Sequence, residues 1–172
     1  MKTGCPEVLI IRGAPGVGKS SLAGRLKKWL KNSVLIEIDQ LRGMISSVEW
    51  CNDEQHFLSL NNAFSLTRNF LTSGYHPIII VDTFSRGKLT KFLQNLTGLK
   101  SHILSLYAQE EELLQRINDG KDRYKEIESC LILNEEILKK RYDNEKFIDT
   151  TNLSKEAVFE QVKKFIIELT EE

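Results

Sequence analysis

An apolar run, Val8-Leu9-Ile10-Ile11, leads into Gly13-Ala14-Pro15-Gly16-Val17-Gly18-Lys19-Ser20, and an amphipathic stretch follows at once. This order of strand, glycine loop and helix restricts the chain more than any other feature. Such a loop sits where the carboxyl end of a buried strand meets the amino terminus of a helix, the geometry of a parallel α/β sheet. The pattern G-x-x-x-x-G-K-[ST] is satisfied at every defined position. Its glycines let backbone N–H groups curl around a phosphate without Cβ clashes, and the helix adds its positive end. Lys19 places a compact charge on the β/γ-phosphates, and the Ser20 hydroxyl is suited to ligate Mg²⁺. Gly13 to Ser20, with Ser21 on the first helical turn, are therefore the expected nucleotide-binding residues.

The rest of the chain repeats the alternation. Strands are predicted at Val8–Ile11, Val34–Ile38, Pro77–Val81, His102–Tyr107 and Phe147–Asp149. Their apolar character is nearly continuous, as in strands covered on both faces. Helices are predicted at Ser20–Leu30, Glu54–Leu71, Lys88–Leu96, Glu110–Ile117, Ile127–Tyr142 and Lys155–Leu169. The pattern defines an α/β fold with a parallel sheet. With 172 residues and no linker or repeat, residues 1–172 are expected to form one domain. Asn118–Glu128 is polar and turn-rich between two helices and reads as a flap, a lid of about residues 116–128.

Charge narrows the partners. Lys plus Arg and Asp plus Glu both number 24, without the basic excess that nucleic acid backbones or anionic membranes attract. The longest apolar runs fall far short of the ~20 residues a bilayer requires. Cys5, Cys51 and Cys130 are widely spaced and lack paired ligands, so they read as reduced thiols of a cytoplasmic protein.

Two acidic residues close apolar strands. Asp39 ends the second strand, where ligands of an open parallel sheet bind, and it can take or orient the proton of an attacking hydroxyl. Arg42, about one helical turn on, can hold phosphate charge. Asp82 ends the third strand and suits Mg²⁺, directly or through water. Arg86 lies within reach on the same loop. Arg116 and Arg123 bracket the flap, where cations arriving on closure stabilise transferring charge. Lys121, Lys125, Lys27, Lys28 and Lys31 read as solvated. His56, His76 and His102 read as structural or surface residues, and Trp50 and Phe57 as core aromatics.

With these residues, the chain resembles the small P-loop kinases of the nucleoside-monophosphate-kinase-like branch. Among these it is most similar to chloramphenicol phosphotransferases, zeta toxins and polynucleotide 5′-hydroxyl kinases. The resemblance rests on Gly13–Ser20, Asp39 with Arg42, Asp82, the segment Arg116–Arg123 and the late Ile148-Asp149-Thr150-Thr151. It implies a five-stranded sheet in the order 2-3-1-4-5, with a lid over ATP. It also implies Asp39 as base, Arg116 or Arg123 as the lid arginine, and adenine held at Thr150-Thr151-Asn152. Asp82-Thr83-Phe84-Ser85-Arg86 is similar to the Asp-Gly-Phe-Pro-Arg of adenylate kinases but lacks its Gly and Pro, which argues against a nucleoside monophosphate acceptor.

The expectation is a Mg²⁺- and ATP-dependent kinase acting on a hydroxyl of a small molecule. Catalysis is assigned to Lys19, Asp39, Arg42, Arg116 and Arg123, metal binding to Ser20 and Asp82, and cofactor binding to Gly13–Ser21 and Thr151. Two alternatives stand beside it: a polynucleotide 5′-hydroxyl kinase, and a nucleotide-binding switch without an acceptor. Neither membrane association nor a particular oligomeric state is implied.

Overall fold

The computed structural model describes residues 6–85, 87–119 and 127–171. Five parallel strands form one sheet: β1 (Val8–Gly13), β2 (Val34–Glu37), β3 (Ile78–Asp82), β4 (Ser101–Tyr107) and β5 (Glu145–Asp149). Their order is β2-β3-β1-β4-β5, the order implied by the resemblance. Seven helices connect and cover them among the described residues: α1 (Lys19–Trp29), α2 (Ile38–Arg42), α3 (Asp53–Thr72), α4 (Lys88–Asn95), α5 (Glu110–Asp119), α6 (Ile127–Lys139) and α7 (Lys155–Glu171).

Strand alternation sends neighbouring residues of β1 into opposite cores. Leu9 and Ile11 join Leu26, Leu104, Val162 and Ile166 in one cluster, and Val8 and Ile10 join Leu60, Ile80, Phe92 and Ile103 in the other. Each fully buried Leu or Ile contributes about 1.5–3 kcal/mol, so the central strand is held from both sides. An Ile10→Ala cavity would cost about 2–5 kcal/mol.

The same alternation sets one polar rung across the sheet. Arg12 on β1 is opposite Asp82 on β3 and Ser105 on β4. The Arg12 guanidinium is turned toward β5, where it pairs with Glu145 at 2.5 Å. Its Nε donates to Ser105 Oγ at 2.6 Å, and its Nη2 donates to the carbonyls of Ile137 and Lys140 at 3.2 and 2.9 Å. Ser105 also donates to Glu145, and Tyr142 N–H donates to the same carboxylate at 2.9 Å.

That network explains one departure from the predicted elements. Helical periodicity runs on to Tyr142, but α6 stops at Lys139, where Arg12 takes carbonyls of its last turn. A second departure concerns Asp39. Strand β2 ends at Glu37 and α2 begins at Ile38, so Asp39 lies in the first helical turn rather than at the strand end. Ile38 is fully buried, as a strand residue would be, so its apolar character did not mark the change.

Candidate active site

The glycine loop bridges β1 and α1. A Cβ on Gly13 would fall 2.7 Å from the Leu106 carbonyl oxygen and 2.6 Å from Val17, so only glycine lets β1 turn beside β4 here. Gly18 precedes α1 with φ +98°, the left-handed region that favours glycine. No side chain caps α1 and its first turn holds no acidic residue, so the amino-terminal N–H groups and their partial positive charge stay available to an anion. Gly16, Gly18 and Ser20 are exposed, Pro15, Lys19 and Ser21 are half-buried, and Ala14 and Val17 are buried beneath them. Lys19 Nζ donates to the Ala14 carbonyl at 3.0 Å, folded across the loop it would share with a phosphate.

Around Lys19 the structure collects opposite charge. Burial pulls the lysine below its ordinary pKa, while the carboxylates of Asp82 and Asp39, in that order, oppose the shift. Asp39 moves the other way. Burial and the nearby Asp82 charge raise its carboxyl above the usual carboxylate range, against Lys19 and Arg42. Neighbouring groups crowd the carboxyl, yet the residue as a whole keeps an exposed edge. The arrangement sets a raised, accessible carboxyl beside an ammonium and a second carboxylate, as a base beside a phosphate site requires.

Asp82 is buried and its Oδ2 accepts two bonds, from the Phe84 N–H at 3.0 Å and from His56 Nε2 at 2.8 Å. Its partner was missed from sequence. His56 stands on the first turn of α3, 26 residues before Asp82, and no local spacing links the two.

Arg42 is 4% exposed and has no carboxylate partner among the described ion pairs. Its Nη2 donates to the carbonyls of Glu49 and Trp50 at 3.1 and 2.6 Å, its guanidinium lies 4.9 Å from the Trp50 ring centroid, and its Nε has no acceptor. Trp50, expected in the core, is 55% exposed instead, because it forms the outer layer over this arginine. Phe57 is half-buried, beneath the Lys91 ammonium at 4.6 Å. Lys88, buried at the start of α4, pairs with Asp53 at 2.8 Å.

On the opposite side of the loop, α5 packs Leu113 and Ile117 against Gly16, where an added Cβ would meet them at 3.1 and 3.2 Å. From the same helix Arg116 pairs with Glu112 and donates to the Thr150 hydroxyl and carbonyl at 3.0 and 2.5 Å. Thr151 Oγ1 accepts the Gln109 N–H at 2.8 Å, and Asn152 has φ +55°. Arg116 thus touches the segment expected to hold adenine. Arg123, Arg86, Lys121, Lys125, Cys5 and the centre of the expected lid lie outside the described residues.

The oxygen donors Ser20 and Asp82 fit a hard cation such as Mg²⁺, which takes few protein ligands and keeps phosphate and water oxygens. No group of three or more His, Cys, Asp or Glu suited to an all-protein metal site occurs among the described residues.

A parallel sheet with a phosphate-binding glycine loop at its centre and two carboxylates near the loop lysine defines a P-loop nucleotide-binding protein on the plan of the small kinases. The chain belongs to the AAA domain family, whose model matches residues 9–146. A comparison with curated proteins found no match. Among solved structures it is similar to a gluconokinase from Sinorhizobium meliloti, with a TM-score of 0.73, 15% identity and coverage of 96% of this chain and 94% of that one. A sugar kinase from Janibacter aligns with a TM-score of 0.70 and 15% identity over 94% and 95%. The tunicamycin resistance protein of Deinococcus radiodurans aligns at 0.67 with 21% identity over 94% and 95%. These likenesses establish the fold. No helix among the described residues is long and apolar enough to cross a membrane.

Proposed function

We propose that the protein is a cytoplasmic, ATP-dependent kinase that transfers the γ-phosphoryl group to a hydroxyl of a small molecule, acting as one domain. The observation that carries this reading is the placement of Asp39, an exposed carboxyl on the first turn of α2 and near enough to Lys19, Asp82 and Arg42 to feel their charges. A nucleotide switch needs phosphate and metal ligands but no second carboxylate on the acceptor side. The sugar-kinase and gluconokinase folds among its structural neighbours support the same reading.

In this reading the loop amides of Gly13–Ser20 and Lys19 hold the phosphates, with Ser21 on the same turn. Ser20 and Asp82 hold Mg²⁺, which when bound neutralises phosphate charge and helps to orient the terminal group. Asp39 accepts the proton of the acceptor hydroxyl. Arg42 adds positive charge from beneath Trp50, and Arg123 is the lid arginine. Arg116 acts from the nucleotide side, through Thr150 and next to Thr151, because its guanidinium is already held there.

ATP turnover with Mg²⁺ against small hydroxyl compounds and 5′-hydroxyl oligonucleotides tests this, with Lys19→Ala as blank. Stimulation by a small hydroxyl compound, absent in Lys19→Ala, is the expected result. Stimulation confined to oligonucleotides would make it a polynucleotide kinase. Tight nucleotide binding with unstimulated turnover throughout would favour the switch.

A further inference from the structure

Asp82 has two neighbours able to hold it, and only one of them does. Arg12 is its direct partner in register on β1, yet the guanidinium turns away to Glu145, Ser105 and the end of α6. The side chain that does reach Asp82 is His56, 5% exposed, with Nε2 at 2.8 Å from Oδ2. Phe84 N–H shares that oxygen, so both donors engage Oδ2 and leave Oδ1 without a donor among the described residues.

We propose that His56 is a positioning residue that aims the Asp82 carboxylate at the nucleotide-bound divalent cation. This rests on the kinase reading only for Asp82 being the cation's ligand. Arginine in this place would form a bidentate pair and draw on the charge the cation needs. A single ring N–H directed at Oδ2 fixes the plane of the carboxylate and leaves Oδ1 to face the cation. Donors behind a ligating carboxylate act in this way, and their loss lowers metal affinity roughly 10–100-fold. The site in α3 suits the task. His56 lies one turn after the N-cap Asn52, whose side chain accepts the Gln55 N–H, so the ring is carried on a capped, regular turn rather than a loop.

The test is binding of ATP, first with chelator and then with increasing Mn²⁺, to the whole protein and to His56→Leu, His56→Gln and His56→Asn. The expected result is unchanged metal-free ATP affinity in His56→Leu, with about tenfold more Mn²⁺ needed for half-saturation. His56→Gln, whose amide can still donate, should recover to within about threefold of the parent, and the shorter His56→Asn should not. An unchanged Mn²⁺ requirement in His56→Leu overturns the proposal, as does an equal loss of metal-free and metal-bound ATP affinity. If His56→Leu does not fold, the Gln and Asn variants decide, and equal Mn²⁺ requirements in these two overturn it. The readout needs no acceptor, so failure to find a phosphorylated hydroxyl leaves this result standing, and failure here leaves the kinase assay untouched.

Discussion

Arg12 and Arg42 are both buried, at 3% and 4% exposure, and they are held in opposite ways. Arg12 has a carboxylate partner, a hydroxyl, two carbonyls and the face of Tyr142 at 5.0 Å. Arg42 has two carbonyls and Trp50, no described carboxylate, and an Nε with nothing to donate to. The first is a closed network, and removing either charged member leaves the other buried and unpaired. The second is an open one, close enough to Asp39 to act on its carboxyl, which burial raises. Closed networks hold a fold together, whereas open ones keep a valence for something that arrives.

The comparison can be broken at either end. In the open region, Asp39→Asn should lower turnover of the stimulating acceptor by ~10²–10⁴ while ATP affinity stays within about threefold, read by steady-state kinetics and calorimetry. Near-full turnover in the Asn variant would remove Asp39 from the chemistry. In the closed region, Glu145→Leu strands the Arg12 guanidinium and should cost about 3–5 kcal/mol of unfolding free energy by denaturant titration. Adding Arg12→Met to that variant should recover most of the loss, because replacing both partners removes the desolvated charge. If the single and double variants are equally unstable, the network is not what holds β5 to β1.

The smallest effect concerns pH. The folded protein holds the Asp39 proton more tightly than the unfolded chain, because burial and Asp82 raise its carboxyl. Asp39 should therefore make the fold less stable as pH rises from the ordinary carboxylate value through its raised one. Asp39→Asn should gain stability relative to the parent across that interval and match its pH dependence in stronger acid. Carboxyl NMR of the nucleotide-free protein should also show the Asp39 titration moving to lower pH in Asp82→Asn.

Much of this architecture was legible because its causes are local. Apolar runs such as Ile78–Val81 and the loop from Gly13 to Ser20 announce a buried strand and a phosphate turn within a few residues. The start of α2 was not, since Ile38 is as apolar as the strand before it and the change of period falls within one residue. Nor was the end of α6, which is set by Arg12 from 125 residues earlier. The site divided along the same line: Lys19, Ser20 and the acidic positions follow from spacing along the chain, while His56 joins Asp82 only once α3 has packed beside β3. Trp50 was misplaced because its partner is a buried arginine rather than an apolar core.

Arg12 also has a consequence for synthesis. Its ion-pair partner lies 133 residues further along the chain, and at common elongation rates Glu145 is made roughly 7–27 s after it. Through that interval β1 carries its glycine loop with an arginine that lacks its final ion-pair partner. Chains stopped before β5 should therefore remain protease-sensitive on the ribosome, and release of the complete chain should bring protection to β1 and β5 together.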